Sequence, residues 1–384
     1  MAGIYIHIPF CSTFCVYCGF FSVNDKNKSS RYVSALIQEI EERKEFFKGV
    51  LPDTIYIGGG TPSLLSICEY KRIFESIASN FYPEANMLEI VKEFTIEVNP
   101  DDITLEYAKG LRALGINRVS MGIQSFDDMA LKKMNRRHSS AEAVESYQIL
   151  IEAGFENISL DLIFGYSLAS DKGFEDANLR WKRDVSSMIA LRPEHISAYQ
   201  LSIEPESILG RMCERGAKNI PLLLLSDDES SSQYSYLQGE LEAAGYLQYE
   251  ISNFSLEDRR AIHNSSYWDR ISYIGLGPSA HSFYGDCRSW NTDNIEDYIA
   301  GEFLGDKEYL SKENIADEII MVGLRKVNGL SLSSLDSYFV SSSLKLDNLI
   351  SQGLLIKNGD TISIPKSKLF ISDYIVSEII KDIR

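Results

Sequence analysis

IYIHIPFCSTFCVYC, residues 4–18, joins a short run of alternating β-branched and aromatic residues, Ile4 to Ile8, directly to three cysteines at positions 11, 15 and 18. The run reads as a β-strand. Five more runs of that kind follow: TIYIG from Thr54, FTIEV from Phe94, RVSMGI from Arg118, ISLDLIF from Ile158 and HISAYQL from His195. Segments of helical periodicity lie between them, at Ser30 to Lys48, Ser66 to Phe81, Leu105 to Leu114, Ala141 to Ala153 and Phe174 to Leu191. Strand and helix in strict alternation imply a parallel sheet with right-handed crossovers, and six such units favour a partial (β/α)6 barrel over a flat sheet. Parallel barrels carry their chemistry at the C-terminal strand ends, so the cysteine loop is expected at the barrel mouth.

Beyond about Pro205 the alternation stops. Ser226 to Ser232 reads as a Ser/Asp-rich loop or helix start, and Tyr236 to Ala244 as helix. From about Lys307 the chain carries the helical run IADEIIMVGLRKV and then GLLIKNGDTISIP, which reads as a β-hairpin turning at Gly-Asp. The expected fold is therefore α/β: a (β/α)6 barrel over residues 1–210, a connecting region over 211–305, and a smaller helical, winged-helix-like domain over 306–384. A length of 384 residues suits this division, because single cores rarely grow past about 250–300 residues.

The net charge of −17 argues against nucleic acid, whose binding needs concentrated Lys and Arg, and against firm adsorption to anionic lipid. No stretch approaches the roughly 18 apolar residues of a transmembrane helix. The first ten residues show no basic leader and no cleavage site, so no signal peptide is expected. Six cysteines in such a chain read as reduced thiols and metal ligands, and the expected compartment is the cytoplasm.

Cys11, Cys15 and Cys18 are separated by three and then two residues. Closely spaced thiolates on one loop suit three corners of a [4Fe-4S] cubane and leave the fourth iron open. An open iron can be chelated by the amino and carboxylate groups of S-adenosylmethionine (SAM). The rival reading is a structural zinc site or merely buried thiols. Zinc wants a fourth Cys or His at a recognisable interval, and none follows. Cys68, Cys213 and Cys287 stand singly and read as packing residues.

YIHIPFCSTFCVYC, YIGGGTPSLL, IEVNPD, MGIQSF and LDLIFGY together resemble the HemN/HemW group of radical SAM proteins, in the same order and over at least Ile4 to about Trp290. The resemblance implies a radical SAM barrel holding a [4Fe-4S] cluster and SAM. In that group the oxygen-independent coproporphyrinogen III oxidases have a further cysteine two positions after the third cluster ligand, where this chain has Phe20. Those oxidases also carry an N-terminal arm, against ten residues here. His263-Asn264-Ser265-Ser266-Tyr267-Trp268 looks like the HNxxYW signature of the HemW heme chaperones.

Site residues follow from position and from that likeness. Gly59, Gly60 and Thr61, after the second strand, resemble the motif that holds the SAM amino end, and glycines there let the backbone approach a ligand. Glu97 and Gln124 end strands and Asp161 lies within one, so all three are expected over the mouth, at positions that contact SAM in the family. Arg136 is similar to the family arginine that meets the SAM carboxylate, with Arg137 as its neighbouring competitor. Tyr5 and Tyr17 match family positions near SAM, and each reads equally well as core. His263 is the expected heme ligand, because imidazole ligates heme iron well, with His281 as second choice. A hydrogen-bonded core histidine is the plainer reading of either.

The resemblance implies a heme chaperone that binds heme and delivers it to acceptor proteins, respiratory ones among them, with a flavodoxin or ferredoxin as electron donor. The alternative is a coproporphyrinogen III oxidase of porphyrin biosynthesis. Phe20, the short N-terminus and HNSSYW favour the carrier.

Overall fold

The computed structural model describes residues 1–338 and 346–383. Its six barrel strands are β1 (Gly3–Ile8), β2 (Thr54–Gly59), β3 (Glu93–Val98), β4 (Arg118–Gln124), β5 (Ile158–Phe164) and β6 (His195–Gln200), each parallel to the next. The helices Ser29–Glu42, Ile67–Phe81, Leu105–Ala113, Ser140–Glu152 and Phe174–Leu191 fill the crossovers.

Alternation along each strand separates two faces. Ile4, Ile6 and Ile8 of β1 are completely buried and share one core with Ile55, Ile57, Ile96 and Val119 from neighbouring strands and with Leu36, Ile73, Leu111 and Leu150 from the helices. Each such side chain contributes roughly 1.5–3 kcal/mol on burial. The opposite face is polar. Strand register sets Tyr5 beside Tyr56, Glu97 beside Ser120, and Asp161 between Gly122 and Ser197. An interior lined this way makes a cavity, where barrels filled by apolar side chains are solid.

The sheet is larger than six strands. A seventh parallel strand, Tyr273–Leu276, pairs with β1 and is followed by the antiparallel strands His281–Tyr284, Cys287–Asn291 and Leu304–Tyr309. At the other end Asn253–Ser255 and Leu247–Gln248 extend the sheet antiparallel from β6. Residues 247–309 thus supply both flanks of the barrel sheet. Among the described residues the twelve strands form a linear order whose ends do not pair, so the barrel sheet is open on one side.

Local rules account for the helix starts. Ser66, Ser139 and Ser226 each close a capping box with a glutamate three residues on. The last of these decides between the two readings of Ser226 to Ser232: the segment is a helix start, the cap and first turns of the helix Asp227–Ala243.

In the C-terminal part the helices Lys312–Arg325 and Ser372–Ile383 pack together beside a three-stranded sheet of Leu330–Ser331, Thr361–Ser363 and Ile356–Asn358. The last two strands are the expected hairpin, with Gly359 at φ 60° in its turn. This part docks on the barrel through the HNSSYW segment. The Arg325 guanidinium lies 4.5 Å over the Trp268 ring, its Nε is 2.6 Å from the buried Glu250, and Lys326 pairs with Asp269 at 2.7 Å.

Candidate functional site

The cysteine loop leaves β1 and folds back over the strand ends. The amide of Cys11 donates to the Val23 carbonyl at 3.0 Å and that of Val23 to the Pro9 carbonyl at 2.6 Å. The amide of Val16 donates to the Met134 carbonyl, while the Val16 carbonyl accepts from Leu209. His7 anchors the loop from below, with Nε2 2.9 Å from the Phe21 carbonyl and Nδ1 3.1 Å from the Tyr5 hydroxyl. Burial holds the His7 ring neutral, with its pKa lowered to about 4.

Beneath the loop lies a cavity of about 1290 Å³, whose wall contains Cys11, Cys15 and Cys18 together with Tyr17, Gly59, Gly60, Thr61, Glu97, Gln124, Arg136 and Asp161. The folding of five strands brings these side by side. Tyr5 is not part of that wall; its ring stacks at 6.2 Å on Tyr56, which is.

The glycine run has a local reason. Gly59 sits at φ 112°, and a Cβ there would come within 2.7 Å of the His7 ring. A Cβ on Gly60 would meet the Phe10 carbonyl oxygen at 2.7 Å and Cys11 Sγ at 3.1 Å. Glycine therefore lets the cysteine loop lie directly on the end of β2. Thr61 Oγ1 donates towards Cys11 Sγ at 3.5 Å. Gln124 ends β4 at φ 73°, beside a register shift in the β4–β5 pairing. A non-glycine residue held in the left-handed region is costly and tends to mark a functional turn.

Glu97 accepts from the Tyr56 hydroxyl at 2.7 Å and from the Gly59 amide at 3.2 Å. Burial, reinforced by Asp161, raises its pKa to about 7. Asp161 accepts from Ser120 at 3.3 Å and Ser159 at 3.4 Å, and burial pushes its pKa up against the opposing hydroxyls and Arg118. Arg136 donates to Cys15 Sγ, to Asn99 Oδ1 and to the Gly122 carbonyl, leaving Nε as its idle donor. Arg137, the competitor, is tied to Asp101 and Asp102.

The donor set can be tested against a cluster. Among the described residues no three His, Cys, Asp or Glu converge as a single metal ion requires. One zinc ion needs that convergence; a cubane takes each thiolate on a different iron. Three half-buried thiols on one anchored loop, with a guanidinium beside one of them, fit the cubane better. Burial raises the Cys18 thiol to about 11 and the Cys11 thiol in the same direction, so metal must displace their protons.

His263, the expected heme ligand, is held by partners within the fold. Its ring is fully buried, Nδ1 is 2.8 Å from Thr54 Oγ1 and Nε2 is 2.7 Å from the Tyr267 hydroxyl. It also stacks on Tyr56 at 5.2 Å. Both nitrogens are engaged, and burial lowers the pKa to about 3. The short helix Ile262–Trp268 points His263 and Tyr267 at the barrel floor and Trp268 at the C-terminal part, while Glu93 accepts from the amides of Ile262 and His263. His281 is exposed and stacks on Trp290 at 5.8 Å.

Tyr56, Asn99, Arg118, Ser197 and Tyr199 also line the cavity and escaped the sequence reading. Their signal was the alternation itself: the inward positions on β2, β4 and β6, and the one just past β3, follow from counting by two from Gly58, Gln124, His195 and Glu97.

Residues 5–177 match the model of the radical SAM superfamily. Over its length the chain is similar to proteins named heme chaperone HemW: 34% identical to that of Lactococcus lactis, covering 93% of this chain and 92% of the relative, and 33% identical to that of Bacillus subtilis, covering 92% and 93%. Its fold is similar to that of the coproporphyrinogen III oxidase HemN of Escherichia coli, a radical SAM enzyme, with a TM-score of 0.81, 23% identity, and coverage of 98% of this chain and 89% of that one.

Proposed function

Because the chain belongs to the radical SAM superfamily and within it to the HemW heme chaperones, we propose that it binds heme as cargo and hands it to acceptor proteins, respiratory ones among them. Superfamily membership implies a [4Fe-4S] cluster and SAM. The assignment of Cys11, Cys15 and Cys18 as cluster ligands rests on their shared loop above the cavity. Held by three thiolates, such a cluster leaves one iron for the amino and carboxylate groups of SAM and supplies electrons to it.

The chain's own residues suit that arrangement. Glu97 offers an anionic oxygen beside the Gly59 amide for an ammonium group, and the Arg136 guanidinium, in the cavity wall beside Cys15, suits a carboxylate. Gln124 and Asp161 hold the far side of the cavity for the nucleoside. Tyr17 covers the pocket from the cysteine loop. Reduction would draw on a one-electron donor such as a flavodoxin or ferredoxin, and the cytoplasm is the compartment that fits reduced thiols. Among the described residues no helix is long and apolar enough to cross a membrane.

The observation that carries the reading is similarity to HemW proteins along more than nine-tenths of both chains. The oxidase alternative has the HemN fold in its favour, which at 23% identity speaks for the fold alone. At the mouth Phe20, 71% exposed, occupies the position where the oxidases have their extra cysteine.

The test uses anaerobically reconstituted protein. Heme titration followed by transfer to an apo-acceptor should show a saturable Soret band that moves to the acceptor. A parallel assay with SAM, reductant and coproporphyrinogen III should show no decarboxylation. Decarboxylation without heme binding reverses the assignment.

A further inference from the structure

Arg118 opens β4, is 1% exposed, and lies in the cavity wall. Its Nε and Nη1 have no hydrogen-bond partner among the described residues. Idle donors on a buried guanidinium are costly and call for an acceptor that arrives from outside the fold. The carboxylates whose charges act on it are committed elsewhere. Glu93 accepts from the Ile262 and His263 amides at 2.6 and 3.0 Å, and Asp161 accepts from Ser120 and Ser159.

Position sets Arg118 below the SAM pocket, two residues before the Ser120 that bonds to Asp161, with its charge acting on Glu97 and Asp161. It stands six residues before Gln124 on the same strand, which is about 20 Å at the rise of a β-strand. The cavity thus has an outer end under the cysteine loop and an inner end at Arg118, with Tyr56, Ser120, Ser197 and Tyr199 in the wall. A volume of about 1290 Å³ is shared by the cluster, SAM and any further ligand, against the roughly 300–1000 Å³ of a site for one small ligand.

We propose that Arg118 is the docking point for a carboxylate of a second ligand at the inner end of the cavity. This inference rests on the chaperone reading, under which that carboxylate is a heme propionate. A guanidinium suits the role because it stays charged when buried and offers directed donors to a carboxylate.

The experiment compares heme with its dimethyl ester, in which the propionates are neutral and blocked. Both are titrated into reconstituted wild-type protein, Arg118→Met and Arg118→Lys, with iron content and thermal melting recorded for each. The expected results are ester binding about tenfold weaker than heme in the wild type, loss of that preference in Arg118→Met, and partial return in Arg118→Lys. A purely structural role for Arg118 would lower melting and both affinities alike while the preference for acid over ester persisted.

Equal affinity of the wild type for acid and ester, or an Arg118→Met protein that keeps the preference, overturns the dock and leaves the chaperone reading standing. Wild-type protein that binds neither compound overturns the chaperone reading, and the dock with it. Should Arg118→Met not fold, the wild-type comparison together with Arg118→Lys decides.

Discussion

Nη1 of Arg136 lies 3.4 Å from Sγ of Cys15, although the two residues are 121 positions apart, and Nη2 of the same guanidinium is held by Asn99 and the Gly122 carbonyl. A cation fixed by β3 and β4 therefore sits against the middle thiol of the loop that leaves β1.

Cys15→Ser is expected to lose the cluster, since two thiolates cannot hold three corners. Iron content and the charge-transfer absorbance of anaerobically reconstituted protein measure this. Wild-type values in the variant would remove Cys15 from the ligand set. Arg136→Lys should keep the iron, because it leaves all three thiols in place, and should weaken SAM binding.

Asp161→Ala should weaken SAM affinity about tenfold and leave the cluster unchanged. The carboxylate is positioned by Ser120 and Ser159 in the wall of the cavity, away from the thiols. Calorimetric titration of SAM into variant and wild type decides, and equal affinities would take Asp161 out of the pocket.

SAM affinity should rise as the pH increases through about 7 and then level off. The Glu97 carboxyl is raised to about 7 by burial and by Asp161, against the Tyr56 hydroxyl, the Gly59 amide and Arg118. Below that pH it is protonated and offers no charge to the SAM ammonium. Glu97→Gln should bind more weakly and flatten the profile between pH 6 and 8. A slope unchanged by the substitution would assign the titration to another group.

His263→Gln should lower the melting temperature at neutral pH, because it breaks the bonds to Thr54 and Tyr267, at a cost of about 1–3 kcal/mol. It should leave the heme spectrum as in the wild type. The folded pKa of about 3 lies below the ordinary 6.5, so the unfolded chain binds the extra proton first. The contribution of His263 to stability is then full above pH 6.5 and is lost progressively as the pH falls toward 3. His7, lowered to about 4, and His195, lowered well below the usual value by burial, act in the same direction. Variant minus wild type, measured from pH 7 to 4, isolates the His263 share. An altered heme spectrum at unchanged stability would restore it as a ligand.

Much of the barrel was legible in the chain because period is local. Alternation of two marked all six strands of the barrel to within a residue or two, the helical period marked the crossovers, and the C-x3-C-x2-C spacing marked the cysteine loop. What each polar residue touches is not local. The seventh parallel strand pairs Gly3 with Tyr273, a partnership that no window along the chain contains. His263 looks like a ligand in its motif, yet Thr54 from β2 and Tyr267 one helical turn on occupy both of its nitrogens. Arg118 looks like an ordinary charged residue at a strand start, and only closure of the strands around it buries the guanidinium with donors to spare. Sequence by itself determined which residues alternate, cap and cluster; tertiary structure decided which of them are left facing the cavity with an unmet bond. The physical reason is that burial and partner choice are set by strands brought together from opposite ends of the chain.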